Sequence, residues 1–461
     1  MQKNRSAAGD VITEVSAYIA GATETALPAG VTKRAKCHIL DALAAMVSGS
    51  HLKAGQLATE YVRQQGGKKE SQVASANLVT SAIQAAFANG MMAHADETDD
   101  SHTKTLVHPG SAVVPAALAM AEREGADGAR FLKSVVTGYD VGCRIPLALG
   151  GLGHLLKGAG ATPGIGGTFG AAAAAAALAG LNEEAVRYVL AYAAQQASGV
   201  NCWKRDEEHV LKAFVFGGMP ARNGVTAAIM VQAGFSGVRD SFSGEDNFID
   251  AFSTQPDPRL WIAGQGQDYE ILHTDLKKFS VGYPIQAALD GLLKLMNRHG
   301  LRAKDVKSVI ARLPQPGVQT INNRSMPDIN LQHILAVTLL DGRLTFETAH
   351  AFERMSDPDV VEVKKRIQLV EEPDLTATKK TRQAVIEIVT KDGASLRELG
   401  ISRGTAENPM TAEEVEEKSR ELMTPVLGKE RSEKLIETVW NLEGVKNMRK
   451  LRPLLFSDPI Q

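Results

Sequence analysis

A dense group of ionisable side chains between residues 94 and 108 is the strongest candidate for chemistry in this sequence. It holds four carboxylates and three histidines: Asp96, Glu97, Asp99, Asp100, His94, His102 and His108. Carboxylates this close together repel one another, so they destabilise a fold unless they are solvated or used. Neighbouring carboxylates also raise the proton affinity of a histidine, which suits general acid–base catalysis. The cluster therefore predicts a site of proton transfer.

Two other interpretations of the same residues stay open. Asp99 or Ser101 could cap one helix and His108, followed by Pro109, could begin the next, which would make the cluster a solvated polar loop. Alternatively, Asp96, Asp99 and Asp100 could chelate Mg²⁺, as in an enzyme that acts on diphosphates. The sequence holds no second Mg²⁺ motif to support that reading.

Lysines further along the chain are candidates for binding an anionic substrate. Lys212 precedes an Arg-Asn-Gly motif, and Lys277 and Lys278 precede Gln286. Lysine binds carboxylates and can stabilise the enolate-like charge that develops next to one. Isolated lysines are usually solvated, so these residues matter only if they converge. His333 lies on an apolar helix face, a position more typical of a core histidine than of a catalyst.

Residues 151–170 hold eight glycines and lead into a run of alanines at 171–177. A glycine-rich loop before a helix could present backbone N–H groups to an anion. The alternative is a connection to a tightly packed helix. The spacing does not fit a dinucleotide-binding motif, because Pro163 stands where the third glycine belongs.

The elements that would position these residues are mainly helical. Apolar residues recur at helical spacing from residue 31 onward, whereas residues 306–313 form an expected strand and residues 384–399 an expected hairpin about Lys391-Asp392-Gly393. The sequence thus predicts a mainly α protein with a smaller α+β part. The predicted division is a large all-helical domain over 1–267, an α+β lid domain over 268–402, and a helical segment over 403–461 that returns to the helical domain.

Composition narrows the class of protein. The 461 residues carry 51 Lys and Arg against 53 Asp and Glu, and 44% are hydrophobic. These values exclude a disordered or fibrous chain and argue against a nucleic-acid-binding or membrane-surface protein. Three widely separated cysteines give no disulfide framework, which is typical of a reducing compartment. Without a signal-peptide core or a long apolar run, the expected location is the cytoplasm.

Motifs in order along nearly the whole chain resemble the MmgE/PrpD family. They are H-A-D-E-T-D-D-S-H from His94, H-P-G-S from His108, G-G-T-F-G from Gly166, K-x₉-R-N-G from Lys212 and N-L-Q-H-I-L from Asn330. The family includes 2-methylcitrate dehydratase, cis-aconitate decarboxylase and an iminodisuccinate epimerase. The resemblance implies a large helical domain, a smaller α+β lid, a site between them, a homodimer and no organic cofactor.

The resemblance also implies roles for individual residues. It assigns catalysis to Glu97, Asp99, His108 and Lys212, with no metal ligands. It assigns substrate binding to Asp100, Ser101, Lys278, Gln286 and His333.

Three positions depart from the family's usual pattern. Ala161 and Gln286 stand where histidines are usual, and His333 replaces a tyrosine. Neither Ala161 nor Gln286 can shuttle a proton, while His333 is the one replacement that could titrate near neutral pH. These replacements make a plain cis-aconitate decarboxylase less expected than the family resemblance alone suggests.

The function predicted from these residues is that of a cofactor-independent lyase, similar to 2-methylcitrate dehydratase. It would abstract a proton next to a carboxylate of a small di- or tricarboxylic acid. The alternatives are an epimerase or isomerase on the same scaffold, the Mg²⁺-dependent diphosphate enzyme, and a catalytically inactive binding protein.

Overall fold

The computed structural model describes residues 2–151 and 160–457, and the side chains from residue 11 onward. The chain forms two compact units. Unit 1 comprises residues 1–95, 99–275 and 422–461, and unit 2 comprises residues 96–98 and 276–421. The structure therefore divides the chain at other points than the predicted boundaries at 267 and 402, and it assigns three residues of the acidic cluster to unit 2.

Most of the described chain is helical, and the prediction of a mainly α fold with a smaller α+β part is confirmed. The helices in chain order are α1 (Gln2–Ala20), α2 (Ala29–Gly49), α3 (Lys53–Gln65), α4 (Ala82–Ala93), α5 (Pro109–Glu124), α6 (Gly128–Ala148), α7 (Thr162–Leu178), α8 (Glu183–Gln196), α9 (Val210–Ala213), α10 (Met219–Gln232), α11 (Phe248–Phe252), α12 (Gln286–His299), α13 (Gln315–Ile321), α14 (Leu331–Asp341), α15 (Phe346–His350), α16 (Pro358–Lys364), α17 (Pro373–Ala377), α18 (Ala412–Leu427) and α19 (Lys429–Trp440). None of these helices is long and apolar enough to cross a membrane.

The strands form one sheet in unit 2 and two short ladders in unit 1. They are β1 (Ser71–Val73), β2 (Leu78–Thr80), β3 (Ser101–His102), β4 (Thr274–Asp275), β5 (Val306–Leu313), β6 (Ile367–Glu371), β7 (Gln383–Thr390) and β8 (Ser395–Ile401). The sheet has the order β6-β5-β7-β8, with β5 and β6 parallel and the other pairs antiparallel. The predicted strand at 306–313 and the predicted hairpin are confirmed. The ladders β1-β2 and β3-β4 mean that unit 1 is not wholly helical.

Helices α6 and α7 of unit 1 pack at glycine contacts. A Cβ atom added at Gly170 would lie 2.6 Å from the carbonyl oxygen of Gly138, and one at Gly166 would lie 2.5 Å from that of Gly142. Residues 162–170 are therefore helical and buried, which corrects the expectation of an anion-binding loop there. Of the eight glycines, Gly153 and Gly158 lie outside the described residues.

The acidic cluster of the sequence lies between two helix ends. Helix α4 ends at Ala93, with His94 at its C-cap, and α5 begins at Pro109, with His108 at its N-cap. Proline suits the first turn of a helix because its fixed φ is helical and it needs no N–H partner there. Within the connection, β3 pairs with β4, which ties the loop to a distant part of unit 1.

The core of unit 2 lies between its sheet and two helices. Buried residues of β5 and β7, including Val309 and Ile386, belong to one apolar cluster with Leu292 of α12 and Leu335 of α14. From Val309 to Leu313, burial alternates along β5 with the period expected for a strand that has one covered face.

Candidate active site

Asp99 joins two histidines at the centre of the predicted cluster in unit 1. The Nδ1 atom of His94 lies 2.9 Å from Asp99 Oδ2, and the Nδ1 atom of His108 lies 3.1 Å from Asp99 Oδ1. The two rings meet edge to face, with centroids 4.9 Å apart. A carboxylate that binds Nδ1 orients an imidazole and stabilises its protonated form, while Nε2 faces elsewhere. The two ends of α4 and α5 thus bring two oriented imidazoles to one carboxylate.

The two histidines differ in exposure. The side chain of His94 is fully buried, whereas that of His108 is 10% exposed. Burial lowers the pKa of His94 to about 3, against the opposing effect of Asp99, and the charge of Lys212 lowers it further. His94 is therefore neutral at neutral pH, and its Nε2 atom has no hydrogen-bond partner among the described residues. His108 is the imidazole with access to a bound molecule.

Aromatic rings surround the lysine of this site. Phe216 stacks on His94 with ring centroids 4.4 Å apart. The Nζ atom of Lys212 lies 5.2 Å from the centre of the Phe216 ring and 5.3 Å from that of Trp203. Phe216 belongs to a π-helical turn over Phe214–Gly218, a local distortion that is frequent at functional sites. Apolar neighbours reduce the local dielectric constant, so the charge of Lys212 acts more strongly on a bound anion than a solvated lysine would.

His209 is a further buried histidine of this site, and the sequence did not single it out. It precedes α9, its ring centroid lies 5.3 Å from that of His94, and its φ of +59° is in the left-handed region. Such backbone strain in a residue other than glycine is concentrated at functional sites. The only available signal was its position three residues before Lys212.

Asp100 is held by a different set of groups from Asp99. Its Oδ2 atom lies 2.7 Å from His38 Nδ1 and accepts a hydrogen bond of 2.6 Å from the Tyr139 hydroxyl, and its Oδ1 atom accepts one of 2.9 Å from the backbone N–H of Gly110. Burial raises the pKa of Tyr139, and Asp100 adds to this effect. Asp100 therefore anchors the N-terminus of α5. Ser101 is buried in β3, opposite Asp275 of β4. A substrate-binding role for Asp100 or Ser101 stays a prediction.

The carboxylates proposed as a Mg²⁺ chelate have separate partners. Asp96, in unit 2, pairs with His350, while Asp99 and Asp100 have the partners described above. The set His94, Asp99 and His108 has ligand atoms within 4.8 Å of one another and could hold a metal ion. Its two Nδ1 atoms are hydrogen-bonded to the carboxylate itself, which is the arrangement of a proton-transfer site. The described carboxylates thus give the diphosphate interpretation no support.

Unit 2 buries a lysine next to Glu97. The Nζ atom of Lys277 donates a hydrogen bond of 2.9 Å to the Glu97 carbonyl oxygen and lies 3.5 Å from Oε2 of the same residue. The side chain of Lys278 is 40% exposed and lies 3.5 Å from Glu414. The buried lysine is therefore the neighbour of the predicted one, and a substrate-binding role for Lys278 stays a prediction.

Comparisons with known proteins cover both units. A family model described as the MmgE/PrpD N-terminal domain matches residues 13–260, and one described as the MmgE/PrpD C-terminal domain matches residues 279–443. The chain belongs to the MmgE/PrpD family. All the residues described above around Asp99 fall within the match to the N-terminal domain.

Curated relatives within the MmgE/PrpD family are similar over at least 90% of their length. The chain is 27% identical to the cis-aconitate decarboxylase of Homo sapiens, over 92% of this chain and 90% of that protein. It is 26% identical to the cis-aconitate decarboxylase of Mus musculus, over 94% and 90%. It is 24% identical to a cis-aconitate decarboxylase-like protein of Aspergillus oryzae, over 97% of each chain.

Two of the three positions that depart from the usual MmgE/PrpD pattern, Ala161 and Gln286, are buried. Ala161 is buried and forms an apolar cluster with Val215 and Phe216. The amide of Gln286 accepts a hydrogen bond from Phe279 N and donates to the Phe279 and Val281 carbonyl oxygens, so it braces the segment after the two lysines.

His333 is buried in unit 2, at the first turn of α14. Burial lowers its pKa to about 4, and the charges of Lys364 and Arg354 add to the effect. The expectation that it titrates near neutral pH is therefore wrong, because a buried imidazole facing two cations stays neutral. Its assignment to substrate binding stays a prediction.

Proposed function

We propose that this protein is a cofactor-independent lyase acting on a small di- or tricarboxylic acid, with proton transfer at a carbon next to a carboxylate. The observation that carries the proposal is the pair of imidazoles, His94 and His108, on the single carboxylate of Asp99. The family assignment supports it, because curated relatives are named cis-aconitate decarboxylases. Among the family's substrates, cis-aconitate is therefore the first acid to test.

His108 is the proposed proton carrier. In an elimination, its Nε2 atom takes the proton from carbon, the C–H electron pair forms the double bond, and hydroxide leaves with a proton supplied by an acid. In a decarboxylation, the electron pair of the C–C bond stays on the substrate as CO₂ departs, and protonated His108 delivers a proton to carbon. Asp99 stabilises the imidazolium in both cases, and general acid–base catalysis of this kind contributes about 10²–10⁴-fold to the rate.

Lys212 is the proposed carboxylate-binding group in unit 1. Its half-buried ammonium lies beside two aromatic rings, those of Trp203 and Phe216. Charge that develops on a substrate carboxylate is offset most strongly by a fixed cation in a water-poor environment. Glu97, two residues before Asp99 in the chain, is the proposed second acid–base group.

An epimerase is the second candidate. Epimerisation removes a proton from one face of a carbon and returns it from another, so it needs a second acid–base group besides His108, and Glu97 is the proposed one. The proton abstraction is the same as in the lyase, and the difference lies in whether a bond other than C–H breaks.

The test is a substrate panel of cis-aconitate, citrate and 2-methylcitrate, followed by NMR in D₂O. A lyase converts one acid to a product with a new or lost double bond or with loss of CO₂. An epimerase incorporates deuterium without net elimination. Thermal stabilisation by the same acids measures binding separately, because a ligand of the folded state raises apparent stability by mass action. The absence of both turnover and stabilisation with every acid would contradict the proposal.

A homodimer in the cytoplasm is the proposed assembly and location. The proposal rests on the family, and light scattering coupled to gel filtration would test the assembly. A monomer at micromolar concentration would contradict it.

A further inference from the structure

Residues 96–98 form a turn in which the first and third residues bind each other across the second. Asp96 Oδ1 accepts a hydrogen bond of 3.0 Å from the backbone N–H of Thr98, and Asp96 Oδ2 accepts one of 2.5 Å from the Thr98 hydroxyl. Both residues are buried. Glu97 is therefore the central residue of a turn closed by its own neighbours.

His350, at the end of α15, holds the acidic side of this turn. Its Nε2 atom lies 3.1 Å from Asp96 Oδ2, and its Nδ1 atom donates a hydrogen bond of 2.7 Å to the Phe346 carbonyl oxygen. Nδ1 therefore carries a proton, and Nε2 faces a carboxylate oxygen, a pairing that favours the imidazolium form. The ring also lies against the Phe346 side chain, with centroids 4.3 Å apart, which restricts its rotation.

Two buried lysines hold the backbone of the same turn. Lys277 donates to the carbonyl oxygen of Glu97, and Lys418 of α18 donates a hydrogen bond of 2.9 Å to that of Thr98. Lys277 is 0% exposed and Lys418 7% exposed. Charge-assisted hydrogen bonds in a buried setting are stronger than neutral ones, so both carbonyl groups have a fixed direction.

We propose that His350 and Lys418 are positioning residues that fix the backbone on either side of Glu97 and thereby set the direction of its carboxylate. The inference rests on the proposed function, in which Glu97 takes part in proton transfer. Misplacement of a reacting group by about 1 Å can cost 10²-fold in rate. The two residues act through the turn and need no contact with the substrate.

The charges around His350 make the arrangement dependent on pH. Asp96 and Asp328 are the acidic groups that face it, and they raise the pKa of His350 to about 9 against the effect of burial. A histidine whose folded pKa is raised stabilises the fold fully below its unfolded pKa of 6.5. That contribution is lost as the pH rises through about 9. The turn is expected to loosen on the alkaline side as His350 loses its proton.

The experiment compares His350→Gln with His299→Gln, a control at an exposed histidine of the same unit. With the acid that the wild type converts, we expect His350→Gln to lower kcat by about 10–100-fold and to leave KM within a few-fold. The alkaline decline of kcat near pH 9 should disappear. His350→Lys, which keeps a cation beside Asp96, should recover part of kcat. An unchanged kcat in a folded His350→Gln protein would overturn the inference.

Hydrogen exchange measured by mass spectrometry separates this inference from the proposed function. Amides of residues 96–100 should exchange faster in His350→Gln and in Lys418→Met than in the wild type and in His299→Gln. This measurement needs no substrate. If the wild type converts no acid, the proposed function is contradicted, but the role of His350 and Lys418 in holding the turn can still be tested. Unchanged exchange in both variants would overturn the positioning role. If His350→Gln does not fold, Lys418→Met carries the same test.

Discussion

Asp99 and Asp100 show how adjacent identical residues acquire different tasks. Asp99 meets two site histidines, while Asp100 meets His38, Tyr139 and the first turn of α5. One carboxylate is placed to support proton transfer and the other to support the helix that carries His108.

The pair Asp99→Asn and Asp100→Asn tests this division. Asparagine at 99 can still accept from one histidine and donate to the other, so stability should change little, but it cannot stabilise an imidazolium. Turnover should fall by about 10²-fold or more. Asparagine at 100 places an amide N–H against groups that donate, so the free energy of unfolding should fall by about 1–3 kcal/mol. Urea unfolding and steady-state kinetics on both variants measure the two effects, and a reversed pattern would contradict the assignment.

The adjacent lysines of unit 2 provide a second matched pair. Lys277→Met removes a buried ammonium, and we expect it to weaken the binding of a polycarboxylate by on the order of ten- to a hundredfold. Lys278→Met tests the predicted substrate-binding role of Lys278; because this side chain is exposed and its ion pair contributes at most about 1 kcal/mol, we expect a smaller loss of affinity than in Lys277→Met. Isothermal titration of each variant with cis-aconitate gives the comparison. Equal losses of affinity in the two variants would show that burial does not decide which lysine contributes to binding.

Residue types and their density were enough to locate much of the candidate site. Asp99, His108 and Lys212 were predicted from the cluster and the family motifs, and the structure brings the three together in unit 1. The choice between Lys277 and Lys278 was not predictable, because burial of one of two neighbours depends on the local direction of the backbone. His94 was part of the cluster, but its orientation by Asp99 depends on where α4 ends.

At the scale of elements, the contact between α6 and α7 depends on the absence of side chains. Glycines of each helix face carbonyl oxygens of the other, as at Gly138 and Gly170. Close backbone approach then brings the start of α7, with Ala161, next to Phe216 of the π-helical turn. Packing of two helices thus sets one wall of the candidate site.

The variant Gly170→Ala tests this contact against Gly30→Ala. A Cβ at position 170 meets a carbonyl oxygen at 2.6 Å, whereas one at position 30, in the first turn of α2, meets no atom within 4 Å. Overpacking of this kind costs about 1–3 kcal/mol. Alanine at the open helical position should be neutral or stabilise by up to about 1 kcal/mol. Urea unfolding measures both, and equal stabilities would mean that the helices can move apart freely.

Elements whose apolar residues recur with a clear period could be predicted from the sequence. Elements whose conformation depends on packing against their neighbours could not. Polar and apolar residues alternate in β5 and in the hairpin β7-β8, whose two strands flank a turn sequence. Helix α14 follows an N-cap asparagine, Asn330. The glycine-rich start of α7 has poor helix propensity, and its neighbours select the helix. The π-helical turn at 214–218 leaves no sequence signal of its own.

At the scale of the whole molecule, each unit is built from segments that are far apart in the sequence. Residues 422–461 belong to unit 1, far in sequence from the helices they join. Glu122 of α5 shows the connection, because it accepts hydrogen bonds from Arg452 and from the backbone N–H of Gln72. The sequence predicted that residues 403–461 return to the helical domain, but the individual contacts between such distant segments were beyond reasoning from local pattern.

Glu122 should make stability depend on pH. Burial raises its pKa from 4.5 to about 7, against the opposing effect of Arg452. The folded protein then holds this proton more tightly than the unfolded chain, so the free energy of unfolding falls as the pH rises from about 4.5 through 7. Glu122→Gln removes this dependence. Urea unfolding from pH 5 to 8 should show the wild type losing stability relative to the variant, and a constant difference would contradict the raised pKa.

The turn at 96–98 limits how this protein can be recombined with its relatives. A chimera that exchanges residues 276–421 for those of another family member would import new partners for Asp96 and Thr98 while keeping the old turn. The exchange should succeed only when residues 96–98 come from the same donor as the larger segment. Three residues embedded in the N-terminal half are thus inherited with the C-terminal half, and a junction chosen from the linear order of the chain would separate them.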